Sequence, residues 1–109
     1  MQEVQTVQLF SPFDPILVGK RLQALRHHHD RTRADFAESV DINATSYGRI
    51  EKGLKPLKAD MAYRIAERWG VSMDFLYRGR LAELPASLAD SLLKHLAELE
   101  TQSQHQRQE

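Results

Sequence analysis

Two side chains in the middle of the sequence are suited to reading the bases of DNA. Arg49 carries a planar guanidinium that pairs with O6 and N7 of guanine, and the methyl group of Thr45 can contact the methyl group of thymine. Because the two residues are four apart, they share one face of a helix. Cations near predicted helix ends or in the following loop would contact phosphates, and the candidates are Arg33, Lys52, Lys55 and Lys58. Asn43 is a further candidate for a phosphate contact, because it begins the helix that carries Arg49 and helix starts offer free amides to phosphates.

The other reactive side chains do not combine into a catalytic or metal site. His27, His28 and His29 are consecutive, so on a helix they point about 100° apart, whereas paired metal ligands need a spacing of three or four residues. The absence of cysteine excludes disulfides and thiolate metal sites. The sequence has no glycine-rich phosphate loop and no serine with an evident base partner. We therefore expect no enzyme activity, no metal and no cofactor.

The net charge is zero, but the charge is unevenly distributed. The segment 19–80 holds thirteen Lys or Arg and eight Asp or Glu, whereas the flanks hold two bases and seven acids. A basic centre between acidic ends favours nucleic-acid binding by the central segment. No apolar run approaches the ~20 residues of a membrane span, and the N-terminus lacks the pattern of a signal peptide. We therefore expect a cytoplasmic protein without membrane association.

The 109 residues fit a single domain, and its helix-start and helix-stop residues predict an all-α fold. The predicted N-caps are Asp14, Thr32, Asn43 and Ser72, and the predicted stops are Gly53, Gly70 and Gly79. Together with the apolar periodicity, these signals predict six helices that begin near positions 14, 32, 43, 58, 72 and 85, the last ending near 100. Residues 1–13 form an N-terminal arm, either a short strand or a loose segment, and residues 101–109 are expected to be a disordered polar tail.

The second and third predicted helices are joined only by Asp41, Ile42 and Asn43. Two short helices joined this tightly, each with an apolar face, must cross steeply, which is the helix-turn-helix arrangement. In that arrangement the second helix projects from the body of the domain and can enter the major groove of DNA.

Four short motifs occur in the order and spacing of a known family of such domains. They are Gly19-Lys20-Arg21-Leu22-x-x-Leu25-Arg26, Thr32-x-x-x-Phe36-Ala37, Ser46-Tyr47-x-Arg49-Ile50-Glu51-x-Gly53 and Ile65-Ala66-x-x-x-Gly70-Val71-Ser72-x-Asp74-Phe75-Leu76. Over about residues 16–79 the sequence resembles the phage repressor and Cro (XRE-like) family of helix-turn-helix domains. The resemblance implies a five-helix, lambda-repressor-like domain over residues 14–80, to which residues 81–100 add a C-terminal helix.

The resemblance also implies roles for individual residues. The base-contacting positions of the family's reading helix correspond to Ala44, Thr45 and Arg49, with Gly48 on the same face. The phosphate-binding position at the start of the preceding helix corresponds to Arg33. An internal ion pair between the first and third helices corresponds to Arg26 and Glu51.

The sequence departs from the family pattern at several positions. Asp30 and Asp41 replace glycines in two turns, and aspartate is one of the few residues that tolerate the left-handed conformation. Arg31 replaces an apolar residue, which weakens the entry to the second helix. Ala44 and Gly48 offer no side-chain hydrogen bond, so direct base reading rests on few groups and DNA shape could supply part of the specificity.

The apolar residues of the sixth predicted helix allow two interpretations. Leu88, Leu92, Leu93, Leu96 and Leu99 recur on one side, and they could pack on their own domain or form the seam of a homodimer. The dimer is favoured, because the row of leucines exceeds what one surface helix needs to attach.

The leading hypothesis for function is a transcriptional regulator, a repressor that binds a palindromic operator in double-stranded DNA as a homodimer. The alternative is a protein-interaction module, such as an antitoxin whose main ligand is a protein partner. The neutral total charge and the small residues at positions 44 and 48 favour that alternative.

Overall fold

The computed structural model describes residues 13–108, with side chains described as far as Gln102, and in that range it contains six helices. In chain order they are α1 (Pro15–His28), α2 (Arg33–Ser39), α3 (Ala44–Glu51), α4 (Ala59–Trp69), α5 (Met73–Arg78) and α6 (Ala86–Gln108). No strand occurs in the described range, so the predicted all-α fold is confirmed. The predicted N-terminal arm lies outside the described residues, apart from Phe13. Among the described helices, none combines the length and the apolarity needed to cross a bilayer.

Side-chain caps begin four of the helices at the predicted residues. Asp14 accepts from the amide of Ile16 at 2.9 Å, and the Thr32 hydroxyl accepts from the amide of Asp35 at 3.1 Å. The same arrangement occurs at Asn43 before α3 and at Ser72 before α5. These bonds satisfy amides that have no partner within their own helix, and so they define where each helix starts.

The two turns in which aspartate replaces glycine both adopt the left-handed conformation. Asp30, after α1, has a φ of 55°, and Asp41, between α2 and α3, has a φ of 57°. Both turns thus incur the energetic cost that a residue with a Cβ atom has in this conformation.

All six helices contribute to one apolar core. Its largest fully buried side chains are Leu22, Leu25, Phe36, Tyr47, Ile50, Ile65, Phe75, Leu76 and Leu92. Trp69, at the end of α4, stacks on Phe36 with ring centroids 5.4 Å apart, and its indole N–H donates to the Ser39 hydroxyl at 3.1 Å.

Arg31, expected to weaken the entry to α2, places its guanidinium 5.4 Å from the centre of the Trp69 ring. The position therefore carries a cation that is held by an aromatic face.

α6 packs along α1 and buries most of its leucines inside the chain. Leu92 is fully buried and Leu99 nearly so, while Leu88 and Leu96 are half-buried. Leu93, in contrast, is 53% exposed. Packing within the chain thus accounts for Leu92 and Leu99 and in part for Leu88 and Leu96, and the dimer seam stays a prediction.

α6 also continues to Gln108, beyond the predicted end near Glu100. Residues 101–108 contain neither glycine nor proline, so nothing in the sequence stops the helix where its apolar periodicity ends. The expectation of a disordered tail from residue 101 is corrected accordingly.

The three consecutive histidines face three different neighbours. The His27 ring lies 6.0 Å from His95, His28 Nδ1 lies 2.6 Å from the Ser91 hydroxyl, and His29 packs 4.5 Å from the Trp69 ring. Two of them therefore line the contact between α1 and α6. In the described part of the chain, no group of three or more His, Cys, Asp or Glu side chains is placed to hold a metal ion.

Candidate nucleic-acid interface

The turn between α2 and α3 fixes how α3 is presented. The amide of Asp41 donates to the Glu38 carbonyl at 3.1 Å, and the amide of Ile42 donates to the Ala37 carbonyl at 2.9 Å. Both bonds fold the turn back onto the end of α2. The rings of Phe36 and Tyr47, 5.3 Å apart, join the two helices through the core.

α3 has one buried face and one open face. Tyr47 and Ile50 are buried, so the residues on the opposite side point into solvent. Those are the predicted base-contacting positions: Ala44, Thr45 and Arg49 are exposed and Gly48 is half-buried. A Cβ atom added at Gly48 would have no heavy atom within 4 Å, so packing within the chain does not require this glycine. Among the described residues, no hydrogen bond or ion pair engages the Arg49 guanidinium.

The predicted phosphate-contacting residues surround this face in part. The Asn43 side-chain oxygen accepts from the amides of Thr45 and Ser46 at 2.9 and 3.2 Å, which leaves its NH₂ group to donate outward. Lys52 is exposed immediately after α3, and Lys58 is exposed immediately before α4. The Lys55 ammonium donates to the Ser46 hydroxyl at 3.3 Å, so the loop after α3 folds back toward the start of that helix.

Arg26 and Glu51 form the ion pair that the resemblance implied. Arg26 Nε lies 2.9 Å from Glu51 Oε2, and Arg26 Nη2 lies 2.9 Å from Glu51 Oε1. The residues are only 8% and 6% exposed, so this two-pronged contact is shielded from water. A third donor of Arg26, Nη1, binds the Arg31 carbonyl at 3.0 Å. Arg26 therefore ties the end of α1 to both the end of α3 and the entry to α2.

The predicted phosphate contact of Arg33 would suggest a cation that is fully exposed to solvent. The structure instead shows that Arg33 also contacts another side chain. Its Nε donates to Glu51 Oε1 at 3.2 Å, while the side chain remains 55% exposed. The Tyr47 hydroxyl also donates to Glu51 Oε2, at 2.6 Å. One carboxylate thus receives two guanidinium groups and a hydroxyl, and the cluster keeps one excess positive charge at the edge of the predicted DNA-binding face.

The environment of this cluster shifts the proton affinities of its members. Burial alone would raise the pKa of the Glu51 carboxyl, but the hydrogen bonds from Arg26 and Tyr47 hold it below its ordinary value. The hydrogen bond to Glu51 raises the pKa of Arg26. Burial, followed by the adjacent Glu51 charge, raises the pKa of Tyr47 well above its ordinary value. The carboxylate and the guanidinium are therefore charged and the phenol is neutral at physiological pH.

Sequence reasoning missed two contributors to this region. The apolar pattern assigns Tyr47 only to the core, yet it also binds Glu51; its spacing of four residues from Glu51 is a signal that could have indicated this contact. Arg64 of α4 binds the backbone of the turn between α2 and α3, and no local pattern in the sequence marks it.

The comparisons with known proteins agree with this geometry. The family model described as helix-turn-helix matches residues 22–76, which is the span from α1 through α5. A curated relative, the antitoxin PezA of Streptococcus pneumoniae, is 32% identical over 56 residues, which cover 51% of this chain and 35% of that protein. The chain therefore spans about a third of the length of this relative. No solved structure matches the chain. The match over half of the sequence, on the helices described above, shows that the chain belongs to the helix-turn-helix family of DNA-binding regulatory domains.

Proposed function

We propose that this protein is a sequence-specific transcriptional regulator that represses by occupying a palindromic operator as a homodimer. The observation that carries the proposal is the open face of α3. Thr45 and Arg49 point into solvent because Tyr47 and Ile50 hold the opposite face in the core. A short helix with one anchored face and one free face can lie in the major groove without rearranging the domain.

In this proposal some residues contact bases and others contact phosphates. Arg49 reads a guanine and Thr45 contacts a thymine methyl group, while Ala44 and Gly48 let the helix approach the bases closely. Phosphates on either side of the groove meet the groups that surround α3: Asn43, Lys52, Lys55, Lys58 and the exposed part of Arg33. Because the Arg26–Glu51 pair and the turn hold α3 in place before DNA arrives, binding costs little reorganisation.

A homodimer follows from the small size of one reading helix. The side chains of one α3 reach only a few base pairs, and two copies related by a two-fold axis read two half-sites one helical turn apart. Of the five leucines predicted at the seam, Leu92 and Leu99 are buried within the chain, so a seam on α6 would rest on Leu93 and on the exposed parts of Leu88 and Leu96.

Selection of bound duplexes from a random pool tests the proposal directly. We expect an inverted repeat with a guanine in each half-site, bound by two copies of the protein in sedimentation. The affinity should fall with salt, and the slope of log K against log salt should be about −5 if Arg33, Lys52 and Lys55 of each copy bind phosphates, which makes six cationic contacts in the dimer. A pool recovered without any sequence preference would overturn the proposed specificity, and one copy per duplex would overturn the homodimer.

A second candidate is a module whose main ligand is another protein. The similarity to a protein named as an antitoxin favours it, although the matched region is a third of that protein. A gel shift with random duplex at low salt separates the two proposals. A regulator retards the duplex, whereas a protein-interaction module without DNA affinity leaves it free.

A further inference from the structure

Arg64, in the middle of α4, binds the backbone of the turn that joins α2 to α3. Its Nε donates to the Val40 carbonyl at 2.8 Å, and its Nη2 donates to the Asp41 carbonyl at 3.3 Å. Its third nitrogen, Nη1, pairs with the Asp60 carboxylate at 3.1 Å one turn earlier on α4. Each nitrogen of the guanidinium therefore has a defined acceptor.

The turn has two features that such a contact would stabilise. Val40 follows the last residue of α2, where carbonyl groups have no partner within the helix. Asp41 holds a φ of 57°, a conformation that a residue with a Cβ atom adopts at an energetic cost. Binding both carbonyls from outside favours the strained turn over the relaxed alternatives.

α4 holds the end of α2 at a second point. The Trp69 indole N–H donates to the Ser39 hydroxyl at 3.1 Å, and that hydroxyl donates to the Phe36 carbonyl at 2.6 Å. The end of α2 is thus attached to α4 through Ser39 and through the turn itself. Of these two contacts, the one made by Arg64 lies nearer to α3 along the chain.

We propose that Arg64 is a positioning residue for DNA recognition, which fixes the turn and hence the angle at which α3 presents Thr45 and Arg49. The proposal rests on the proposed function, in that α3 is taken as the helix that binds DNA. Arg64 needs no contact with DNA for this role, because it acts through the carbonyls of Val40 and Asp41.

The test compares Arg64→Met with Arg78→Met. Arg78 is a matched control, because it forms the same kind of pair with an aspartate four residues earlier, to Asp74 at 3.2 Å, but on α5. Both variants lose one positive charge. We expect Arg64→Met to lower operator affinity about three- to tenfold and Arg78→Met to change it much less. Equal losses in the two variants would overturn the proposal.

Salt dependence separates positioning from direct contact. A residue that acts through the turn leaves the slope of log K against log salt unchanged when it is replaced. A residue that binds a phosphate itself reduces the magnitude of the slope by about one. A reduced slope for Arg64→Met relative to Arg78→Met would therefore overturn the positioning role.

A double-mutant cycle with Asp41→Gly gives a readout that does not depend on DNA. Hydrogen exchange at the amides of Asp41 and Ile42 reports the turn, and we expect Arg64→Met to accelerate it about tenfold. Glycine adopts the left-handed conformation without strain. Asp41→Gly should therefore slow the exchange of the turn amides more in the Arg64→Met background than in the unaltered protein. Additive effects would overturn the coupling.

A failure of the proposed function can be distinguished from a failure of the positioning role of Arg64. If the unaltered protein binds no DNA, the proposed function fails, and the exchange cycle alone shows whether Arg64 fixes the turn. If Arg64→Met does not fold, Arg64→Lys replaces it throughout. Lysine keeps the charge but lacks the planar fork that reaches two carbonyls, so the same coupling is expected on a smaller scale.

Discussion

Gly19 of α1 lies directly against the main-chain carbonyl of Glu51 at the end of α3. A Cβ atom on Gly19 would contact the Glu51 carbonyl oxygen and would lie 2.9 Å from the carbonyl carbon and 3.0 Å from the Ile50 carbonyl oxygen. These are backbone atoms, which cannot rotate away as a side chain would. Only glycine allows α1 and α3 to cross this closely, and two turns later along α1 Arg26 reaches the Glu51 carboxylate.

Replacing Gly19 by alanine should therefore destabilise the fold. We expect a loss of about 3 kcal/mol in the free energy of unfolding, because the two helices must separate to admit one methyl group. Urea denaturation measures the loss. Gly48→Ala is the matched control, since a Cβ atom there meets no heavy atom within 4 Å. It should stabilise α3 by about 0.5–1 kcal/mol, and an equal loss in both variants would contradict the close crossing at Gly19.

The starts of the helices and the shapes of the turns could be predicted because they depend on neighbours in the sequence. A cap such as Thr32 binds an amide three residues away, and Asp41 occupies a left-handed turn position that aspartate tolerates better than most residues with a Cβ atom. The open face of α3 was predictable for the same reason, since the apolar positions 47 and 50 leave positions 45 and 49 on the other side.

Contacts between distant parts of the chain could not be predicted in this way. The pairing of Arg33 with Glu51 and of Arg64 with the turn depends on how three helices are arranged in space. The choice of Leu92 between its own core and a dimer depends on whether α6 returns to α1, which periodicity does not determine. A helical stripe of leucines reports that a face is buried, and leaves open what buries it.

The packing of α6 on α1 predicts opposite results for two adjacent leucines. Leu92 is fully buried and Leu93 is 53% exposed, so Leu92→Ala leaves a cavity and Leu93→Ala does not. We expect Leu92→Ala to cost about 3 kcal/mol and Leu93→Ala less than about 0.5 kcal/mol in urea denaturation. Equal small losses in the two variants would show that the burial of Leu92 contributes little to the stability of the fold.

Removing the charge of Glu51 should be costly. In Glu51→Gln the buried guanidinium of Arg26 loses its counter-charge, and we expect a loss of about 3 kcal/mol. Asp74→Asn tests the same chemical change at an exposed pair with Arg78, and there the loss should stay below about 1 kcal/mol. Similar losses at both sites would show that the Arg26–Glu51 pair contributes no more than a surface pair.

Stability should fall as the pH is lowered from 7 to 5. Burial, followed by electrostatic interactions with His28, Arg31 and Arg68, lowers the pKa of His29 below its ordinary 6.5. The unfolded chain then binds a proton more readily than the folded one, so the free energy of unfolding declines as the pH falls below about 6.5 and levels off below the folded pKa. Burial, with Arg26 and His95, lowers the pKa of His27 in the same direction.

Thermal melts of the unaltered protein and of His29→Phe across this range measure the effect. Phenylalanine keeps an aromatic ring against Trp69 and carries no proton, so the variant should show a smaller loss between pH 7 and pH 5. Glu51 does not contribute in this window, because its pKa is lowered from an ordinary value of 4.5. An unchanged pH dependence in His29→Phe would contradict the assignment to this histidine.

Arg49 should be the principal reader of bases. Its guanidinium is exposed on the face of α3 opposite Tyr47 and Ile50, and its neighbours Ala44 and Gly48 offer no side-chain hydrogen bond that could replace it. We expect Arg49→Ala to cost about 1–3 kcal/mol per half-site on the selected operator and to relax the preference at one guanine position. Affinity for random duplex should fall much less, because phosphate contacts supply most of that binding.

Lys52→Ala is the control for this prediction, since Lys52 is an exposed cation just beyond the same helix and is assigned to phosphate. It should weaken binding to all sequences to a similar extent and reduce the magnitude of the salt slope by about one for each phosphate that is no longer bound. Selection from random duplexes with both variants then separates a base contact from a phosphate contact. If Arg49→Ala recovers the same motif with the same information at every position, Arg49 binds the backbone, and specificity must come from Thr45 or from the shape of the DNA.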